Sequence, residues 1–399
     1  MKFNIAIITS TFLPSIGGSQ IGLHVIAKEL SLLGHKVVIF VPFKTFIKLR
    51  KKKWNLNYKV LPLPPKVFRI YYRFENIGLL LLKLYFQLIN IIYGFNYWFA
   101  NLAYPSGAML GQLSNYKLFN KNFVLCPGED IQINKDIAYG MRLDSKIDFK
   151  IKHHLIKLKN FVALTDSVQN EYLKLGIKRE KIINIPYGIE ETNLVSFSNK
   201  DNLRDLYGID KNSFVFICVG RNHPKKNFKL LPKIAKELNN LTSLNYKILI
   251  VGKDVNLLKN SIKNNKLEKY FILIDEISNQ ISPNLIFPSI ELSNYYKLSD
   301  CFLFPSNLET FGIVLAEAMI SGLPIITSDA PGCRDVVKDQ NHGLIFKRED
   351  HLSAAKLMFK ILNNQDLLNE YKKKSIKRGK VFNSIEIALQ YDKLFYKNI

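Results

Sequence analysis

One pattern occurs twice in this chain of 399 residues: a short apolar run, a loop that contains glycine, a helical stretch and a second apolar run. In the first copy these parts are a strand at 5–8, a loop at 9–20 with Gly17 and Gly18, a helix at 21–33 and a strand at 36–41. Apolar spacings of three and four residues predict a helix, and short continuous apolar runs predict buried strands. Repeated strand–helix–strand units form parallel sheets, so the chain is restricted to the α/β class.

The second copy begins near residue 214. Its predicted parts are a strand at 214–219, a loop with Gly220, a helix from about Phe228 to Leu241 and a strand at 247–251. The second copy continues with a strand at 300–304, a helix at 312–321 and a strand at 325–328. Residues 188–212 are polar enough to link two Rossmann-like domains. Neither glycine loop has the G-x-G-x-x-G spacing of dinucleotide-binding enzymes, so a dehydrogenase is disfavoured.

The N-terminal half is the more basic one. The chain has a formal net charge of +24, and residues 1–187 hold 27 Lys+Arg against 10 Asp+Glu, or +17. A field of this sign attracts phosphates, anionic lipids or nucleic acid. A lysine-rich solvated surface explains the composition equally well, so both interpretations stay open. We expect no nucleic-acid partner, because no nucleic-acid-binding fold accompanies the basic residues.

Two features indicate a cytoplasmic protein. The four cysteines are scattered, without a Cys-x-x-Cys pair, which favours reduced, buried thiols over a disulfide framework or a zinc site. The N-terminus passes directly into a strand, without the hydrophobic region and cleavage site of a signal peptide.

Two further segments concern a membrane. Residues 43–54 mix basic residues with Phe, Ile, Leu and Trp, which suits a segment lying on an anionic leaflet. An ordinary exposed loop and helix is the alternative. Residues 77–104 are strongly apolar, but Lys83 and Gln87 interrupt a continuous span. For these residues we predict a buried helix up to about Ile92, followed by a strand.

The stretch 300–324 carries the predicted chemistry. A strand ends in a loop that contains Glu309, and a helix opens at Gly312. The free amides of Gly312, Ile313 and Val314 and the positive helix end form a phosphate site at the carboxyl end of a strand.

Glu317 lies about 7.5 Å further along this helix axis, within reach of hydroxyls on a group attached to that phosphate. The whole stretch resembles the signature of the family 4 retaining glycosyltransferases (glycosyl transferases group 1, GT-B fold), including two glutamates separated by seven residues. The resemblance implies that Glu317 holds the ribose of a nucleotide-sugar donor and that Glu309 contacts the donor sugar.

The resemblance also implies the fold: α/β, with two Rossmann-like β/α/β domains facing across a cleft. We expect an acceptor-binding domain at 1–187 and a donor domain at 188–379. A C-terminal helix at about 380–399 crosses back to the N-terminal domain and completes it.

Other segments match the family in the same order. Gly220-Arg221, with Lys226 five residues on, resembles its diphosphate-binding basic pair, and Gly17-Gly18 resembles its glycine-rich first loop. The candidate catalytic residues are therefore Arg221, Lys226 and Glu309. The candidate donor-binding residues are Gly17, Gly18, Gly220, Thr310, Phe311, Gly312, Ile313, Val314 and Glu317. A cationic pair with a helix N-terminus can neutralise a diphosphate, so we expect no metal and no other cofactor.

Three departures from the family pattern affect the sugar and acceptor contacts. Pro127 stands where many relatives carry a histidine that contacts the donor sugar. Asn96 and Asn101 replace a common Asp and His, and Asp335 replaces a common Glu. The donor stretch keeps its pattern.

The implied function is transfer of a hexose-type sugar, with retention, from a nucleotide diphosphate sugar to a saccharide or lipid-linked saccharide. It fits bacterial surface polysaccharide or lipopolysaccharide synthesis by a cytoplasmic enzyme held peripherally on the inner face of the plasma membrane. Two alternatives stay open: a nucleotide-sugar epimerase or hydrolase, and a non-catalytic sugar-nucleotide binding protein. The seven histidines form no acid–base set, which weighs against the first, and both glutamates are present, which weighs against the second.

Overall fold

The computed structural model describes residues 2–52, 54–196, 198–275, 277 and 284–397. Lys53, within the basic segment 43–54, lies outside these residues. The chain divides into two compact units. The first contains the residues up to Gly188, a short stretch ending at Leu285 and the C-terminal residues from Ser384, and the second contains the rest of the chain between Ile189 and Asn383. Each unit is built on one parallel sheet, so the predicted α/β class with two Rossmann-like domains is confirmed.

The first unit contains a seven-stranded sheet with the order β3-β2-β1-β4-β5-β6-β7, parallel throughout. Its strands are β1 (Asn4–Thr9), β2 (Lys36–Val41), β3 (Lys59–Pro62), β4 (Tyr97–Asn101), β5 (Asn122–Leu125), β6 (Asn160–Ala163) and β7 (Ile182–Asn184). The central strands are buried along nearly their whole length, because helices cover both faces of a parallel sheet.

The second unit contains a six-stranded sheet with the order β10-β9-β8-β11-β12-β13, again parallel. Its strands are β8 (Phe214–Val219), β9 (Tyr246–Val251), β10 (Phe271–Ile274), β11 (Cys301–Phe304), β12 (Ile325–Ser328) and β13 (Leu344–Phe346). The four cysteines are free and buried, as predicted.

Helices fill the crossovers between these strands. In chain order they are α1 (Gly18–Leu32), α2 (Phe43–Arg50), α3 (Val67–Arg73), α4 (Glu75–Tyr93), α5 (Ala108–Leu113), α6 (Ser145–His154), α7 (Asp166–Lys174), α8 (Thr192–Val195), α9 (Lys200–Leu206), α10 (Leu231–Leu241), α11 (Lys259–Asn264), α12 (Ile290–Leu298), α13 (Ile313–Ile320), α14 (Pro331–Val337), α15 (His351–Leu362), α16 (Gln365–Gly379) and α17 (Ser384–Lys397). Most of the predicted elements are present, with ends that match the prediction or differ from it by at most three residues.

The C-terminal helix α17 belongs to the first unit, as predicted. It packs on α1, where the Ser384 hydroxyl donates to a Glu29 carboxylate oxygen at 2.9 Å. The Tyr97 hydroxyl, at the start of β4, donates to the carbonyl of Phe395 at 2.6 Å. The last residues of the chain therefore complete the core formed by its first half.

Helix α10 begins three residues later than predicted. Residues Phe228–Leu230 form a single 3₁₀ turn, and the α-helix starts at Leu231. Pro232 lies in its first turn, where the missing proline N–H costs no helical hydrogen bond. A start at Phe228 would place this proline deeper in the helix, where its ring clashes with the preceding turn.

The prediction of a buried helix before Ile92 is wrong in one respect. The helix exists as α4, but only one of its faces is buried, through Gly78, Leu82 and Phe86. The opposite face exposes a row of large apolar side chains, here called the α4 stripe: Ile77, Leu80, Leu84, Leu88, Ile91 and Ile92. Apolar content all around a helix normally indicates full burial, but one face of α4 is exposed. Helix α4 is also the one helix in the described part of the chain with the length and hydropathy to cross a membrane.

Candidate active site

The candidate residues of the second unit come from loops that follow two neighbouring strands. Strands β8 and β11 pair with each other, while the chain continues from β8 to β9 on the other side. This is the topological switch point of the sheet, where the loops at the carboxyl ends of parallel strands diverge and leave room for a ligand. The β8 loop carries Gly220, Arg221 and Lys226, and the β11 loop carries Glu309.

A single carbonyl oxygen joins the two loops. The carbonyl of Lys225 accepts hydrogen bonds from the amide of Asn307 at 2.7 Å, the hydroxyl of Ser306 at 2.7 Å and the amide of Leu308 at 3.3 Å. The side chain of Asn227 adds a fourth link, donating to the Asn307 side-chain oxygen at 3.2 Å. The loops are therefore held together by backbone and side-chain hydrogen bonds of the protein itself.

This arrangement brings Lys226 and Glu309 into direct contact. The Lys226 ammonium donates to the Glu309 carboxylate and also lies 4.7 Å from the centre of the Phe304 ring. Glu309 is buried, and burial favours its neutral form. The charges of Lys226 and Lys225 outweigh burial and hold the pKa of the Glu309 carboxyl below its ordinary value. Glu309 is thus an ionised, buried carboxylate with a cation against it.

Gly312 sets the start of α13. Its φ of 78° lies in the left-handed region, which glycine adopts without a steric penalty, and the helix begins at the next residue. The Leu315 amide bonds back to the Gly312 carbonyl at 2.9 Å, whereas the first-turn amides of Ile313 and Val314 have no acceptor within the helix. Two donors and the positive helix end therefore lie directly after the Glu309 loop.

Glu317 is buried inside α13 and is held by a residue that the sequence did not reveal. The hydroxyl of Tyr296, from α12, donates to a Glu317 carboxylate oxygen at 2.7 Å. Burial raises the pKa of Glu317 to about 7, and the Tyr296 hydrogen bond opposes part of that rise. An aromatic residue in a helix usually indicates core packing, so no sequence signal separated Tyr296 from its neighbours.

The other predicted donor residues occupy different surroundings. Gly220 has a φ of 149°, and a Cβ there would lie 3.4 Å from the Lys226 side chain. Arg221 follows it with an exposed side chain, while Thr310 and Phe311 are buried. Gly17 and Gly18 belong to the first unit, at the end of the β1 loop where α1 begins.

Gly332, at the start of α14, contacts the same loop from a further element. A Cβ at this position would lie 2.5 Å from the carbonyl oxygen of Glu309, which is closer than real Cβ contacts. The segment containing Gly332 therefore supports the backbone of Glu309 directly. Among the described residues, no group of three or more His, Cys, Asp or Glu side chains is arranged to hold a metal ion.

The first unit has a buried carboxylate that joins the loops after β4 and β5. The buried carboxylate of Asp130 accepts from the amide of Ala103, after β4, at 2.6 Å and from the amide of Gly128, after β5, at 2.8 Å. Burial raises the pKa of Asp130 to about 6, against the effect of these amides. Asp130 thereby connects two loops of the unit expected to bind the acceptor.

Comparisons with known proteins identify the family that the second unit matches. The family "Glycosyl transferases group 1" matches residues 199–378, which covers nearly all of the second unit. A UDP-Gal:alpha-D-GlcNAc-diphosphoundecaprenol alpha-1,3-galactosyltransferase of Escherichia coli is 29% identical over 225 residues, 55% of this chain and 54% of that enzyme. An N-acetyl-alpha-D-glucosaminyl L-malate synthase of Bacillus anthracis is 22% identical over 99% of this chain and 97% of its own length.

The fold extends over the whole chain. The crystal structure of Anabaena HepE in complex with UDP superposes with a TM-score of 0.75 at 16% identity, covering 99% of this chain and all of HepE. Fold and sequence together define a GT-B glycosyltransferase. The second unit matches the group 1 glycosyltransferases, and the chain as a whole resembles this family.

Proposed function

We propose that this protein transfers a hexose-type sugar from a nucleotide diphosphate sugar to a saccharide or lipid-linked saccharide acceptor, with retention of the anomeric configuration. The observation that supports this most is the convergence of Lys226, Glu309 and the start of α13 at the switch point of the second sheet. It places a cation, a carboxylate and two free amides within one short region, as a donor diphosphate with an attached sugar requires.

The proposed roles follow from charge. The amides of Ile313 and Val314 and the ammonium of Lys226 take the diphosphate, and the exposed guanidinium of Arg221 supplies a second cation. Glu317, inside the helix, accepts hydrogen bonds from the ribose hydroxyls. The Glu309 carboxylate lies near the bound phosphate and contacts the donor sugar.

The chemical step needs no protein nucleophile in this proposal. The bond between the sugar C1 and the diphosphate oxygen breaks, giving an oxocarbenium-like transition state. The acceptor oxygen bonds to C1 on the same face, and its proton passes to the departing phosphate oxygen. Lys226, Arg221 and the start of α13 stabilise the charge that grows on the leaving diphosphate, which is where preorganised groups lower a barrier most. We expect this to proceed without a metal cofactor.

We further propose that the protein works on the inner face of the plasma membrane, in synthesis of a surface polysaccharide such as lipopolysaccharide. The basic segment 43–54 supports contact with anionic lipid: Lys44, Lys48 and Arg50 on α2 are exposed, next to the exposed side chains of Phe43 and Ile47. Each cation near an anionic leaflet contributes about 1 kcal/mol of attraction. Equal co-sedimentation with neutral and anionic vesicles would count against this contact.

The donor is identified by a thermal-shift screen against UDP-, GDP-, ADP- and CMP-sugars. We expect one nucleotide diphosphate sugar to raise the melting temperature, because a ligand that binds only the folded protein stabilises it. Proton NMR of the product then reads the anomeric configuration. A product inverted relative to the donor, or hydrolysis without transfer when acceptors are supplied, would refute the proposal.

A further inference from the structure

Helix α4 has two unlike faces. Phe86 and Leu82 are buried in the core of the first unit, and Phe86 packs against Trp98 with ring centres 4.9 Å apart. The α4 stripe on the other face remains open, with 62% of Leu88, 83% of Ile91 and 72% of Ile92 exposed. The stripe runs for about 22 Å along the helix axis. A continuous exposed apolar patch of this length marks a surface that binds an apolar partner or a membrane.

The helix is fixed to its unit and cannot leave it to cross a bilayer. A Cβ at Gly78 would lie 2.6 Å from the backbone of Tyr71 on α3, so α3 and α4 are in close backbone contact. The Tyr85 hydroxyl also donates to the carbonyl of Pro62, at the end of β3, at 2.5 Å. Because one face of α4 is packed in the core, only the α4 stripe can contact another medium. A helix that lies in the plane of a membrane interface is arranged in this way.

The segment of the chain that contains the stripe is strongly basic. Residues 36–128 contain fourteen Lys+Arg and a single acid, Glu75, a net charge of +13. The carboxylate of Glu75 is itself paired with Lys150. The Lys83 ammonium lies 3.8 Å from the Tyr116 ring, and the Lys59 ammonium lies 5.4 Å from the Tyr93 ring at the end of α4. Cations and aromatic rings thus border the apolar stripe.

We propose that α4 is a membrane-embedded docking helix: its stripe enters the acyl region of an anionic bilayer while the bordering Lys and Arg side chains pair with lipid phosphates. An apolar stripe needs an apolar medium, and a segment with a net charge of +13 favours an anionic one. An anionic leaflet supplies both. A second copy of the chain does not, because pairing through α4 would bring two such positive regions together. This inference is independent of the transfer reaction, and it shares with the segment 43–54 six of the fourteen basic residues counted here.

The test uses the full-length protein and sucrose-loaded vesicles of phosphatidylcholine, with or without phosphatidylglycerol. The variant carries Leu84→Glu and Leu88→Glu, both at exposed positions, so the fold is retained. The matched control is Leu257→Glu, a leucine of the second unit that is 74% exposed. We expect the double variant to bind anionic vesicles at least about tenfold more weakly, because two charges enter the acyl region, whereas the control binds as the wild type does.

Insertion is read separately with a polarity-sensitive dye on Ile91→Cys, the four native cysteines being buried. We expect its emission to shift to the blue on anionic vesicles only, and the same dye on Leu257→Cys to stay unchanged. Unaltered vesicle binding by the double variant, or a dye at residue 91 that stays in water, overturns the proposal. So does light scattering that shows a dimer dissociated by the same two substitutions. Turnover of a water-soluble acceptor by the double variant, expected to equal that of the wild type, keeps this test separate from that of the transferase reaction.

Discussion

The ammonium of Lys226 is in contact with the carboxylate of Glu309, although the two residues are 83 positions apart in the chain. Both are largely shielded from water, so the pair interacts more strongly than a surface salt bridge. An approaching diphosphate would compete with Glu309 for the same ammonium. Donor binding therefore weakens the contact between Lys226 and Glu309. Substitutions of these two residues are accordingly the most informative.

Replacing Lys226 tests this pair directly. We expect Lys226→Met to lower kcat/KM by about 10²–10³, the usual cost of losing one preorganised group that stabilises transition-state charge. It should also lower stability by roughly 3 kcal/mol, because the buried Glu309 carboxylate loses the ammonium that lies against it. Urea unfolding and steady-state kinetics measure the two effects. The double variant with Glu309→Gln should regain most of the stability but none of the activity, and recovery of activity would contradict the assigned roles.

Arg221 should behave differently, because its side chain is exposed. We expect Arg221→Ala to lower turnover by at least about 10², through lost stabilisation of the leaving diphosphate. Its stability should change by less than about 0.5 kcal/mol, as for other surface positions. Lys253→Ala, an exposed lysine in the loop after the neighbouring strand β9, is the control and should retain full turnover. Near wild-type turnover of Arg221→Ala would remove Arg221 from the mechanism.

Glu317 makes donor affinity depend on pH. Burial raises its pKa to about 7, so the carboxyl is protonated in acid and ionised above that pH. Only the carboxylate accepts hydrogen bonds from both ribose hydroxyls, so the KM for the donor should fall as pH rises through about 7. Glu317→Gln should abolish this dependence and raise the KM at pH 8. A KM that is flat with pH in the wild type would argue against contact with ribose.

The same group affects stability with the opposite sign to most acids. Its pKa is higher in the folded protein than in the unfolded chain, where it is 4.5, so the folded state binds more protons between these values. The contribution of Glu317 to the free energy of unfolding is therefore greatest below about pH 4.5 and is lost as pH rises through 7. We expect Glu317→Gln to be more stable than the wild type at pH 8, by about 2–3 kcal/mol, and to lose this advantage near pH 5. Chemical unfolding at the two pH values measures the difference.

Tyr296 is expected to act through Glu317. Tyr296→Phe removes the hydroxyl that orients the carboxylate while keeping the ring in the core. We expect the donor KM to rise several-fold with kcat nearly unchanged, and the pH at which the KM changes to move upward, because the hydrogen bond favours the ionised form. A merely structural role would alter stability without moving that pH.

Much of the fold followed from local pattern. The strands at 36–41, 214–219 and 325–328 are observed with the predicted bounds, since continuous apolar runs between glycine-bearing loops leave few alternatives. The position of Gly312 just before a helix was also predictable, because its neighbours carry the family signature. The bounds of these strands and the position of Gly312 depend on residues that are close to them in the sequence.

Other features depend on tertiary structure. The burial of only one face of α4 could not be predicted, because apolar residues surround the helix and only packing decides which side is covered. The contact of Tyr296 with Glu317 joins two helices across 21 residues, and its residue types give no indication of it. The pairing of Lys226 with Glu309 needed the order of strands in the sheet, which places β8 beside β11.

The hydrogen bonds at the carbonyl of Lys225 have a consequence for sequence variation in this enzyme. Every L-amino acid presents the same oxygen there, so a substitution at position 225 leaves this junction in place even where it removes the charge that acts on Glu309. Changes of side chain in the course of evolution therefore do not remove the carbonyl oxygen of residue 225. A backbone ester, which weakens that acceptor only when placed between residues 225 and 226, would disturb the junction that ordinary mutagenesis passes over.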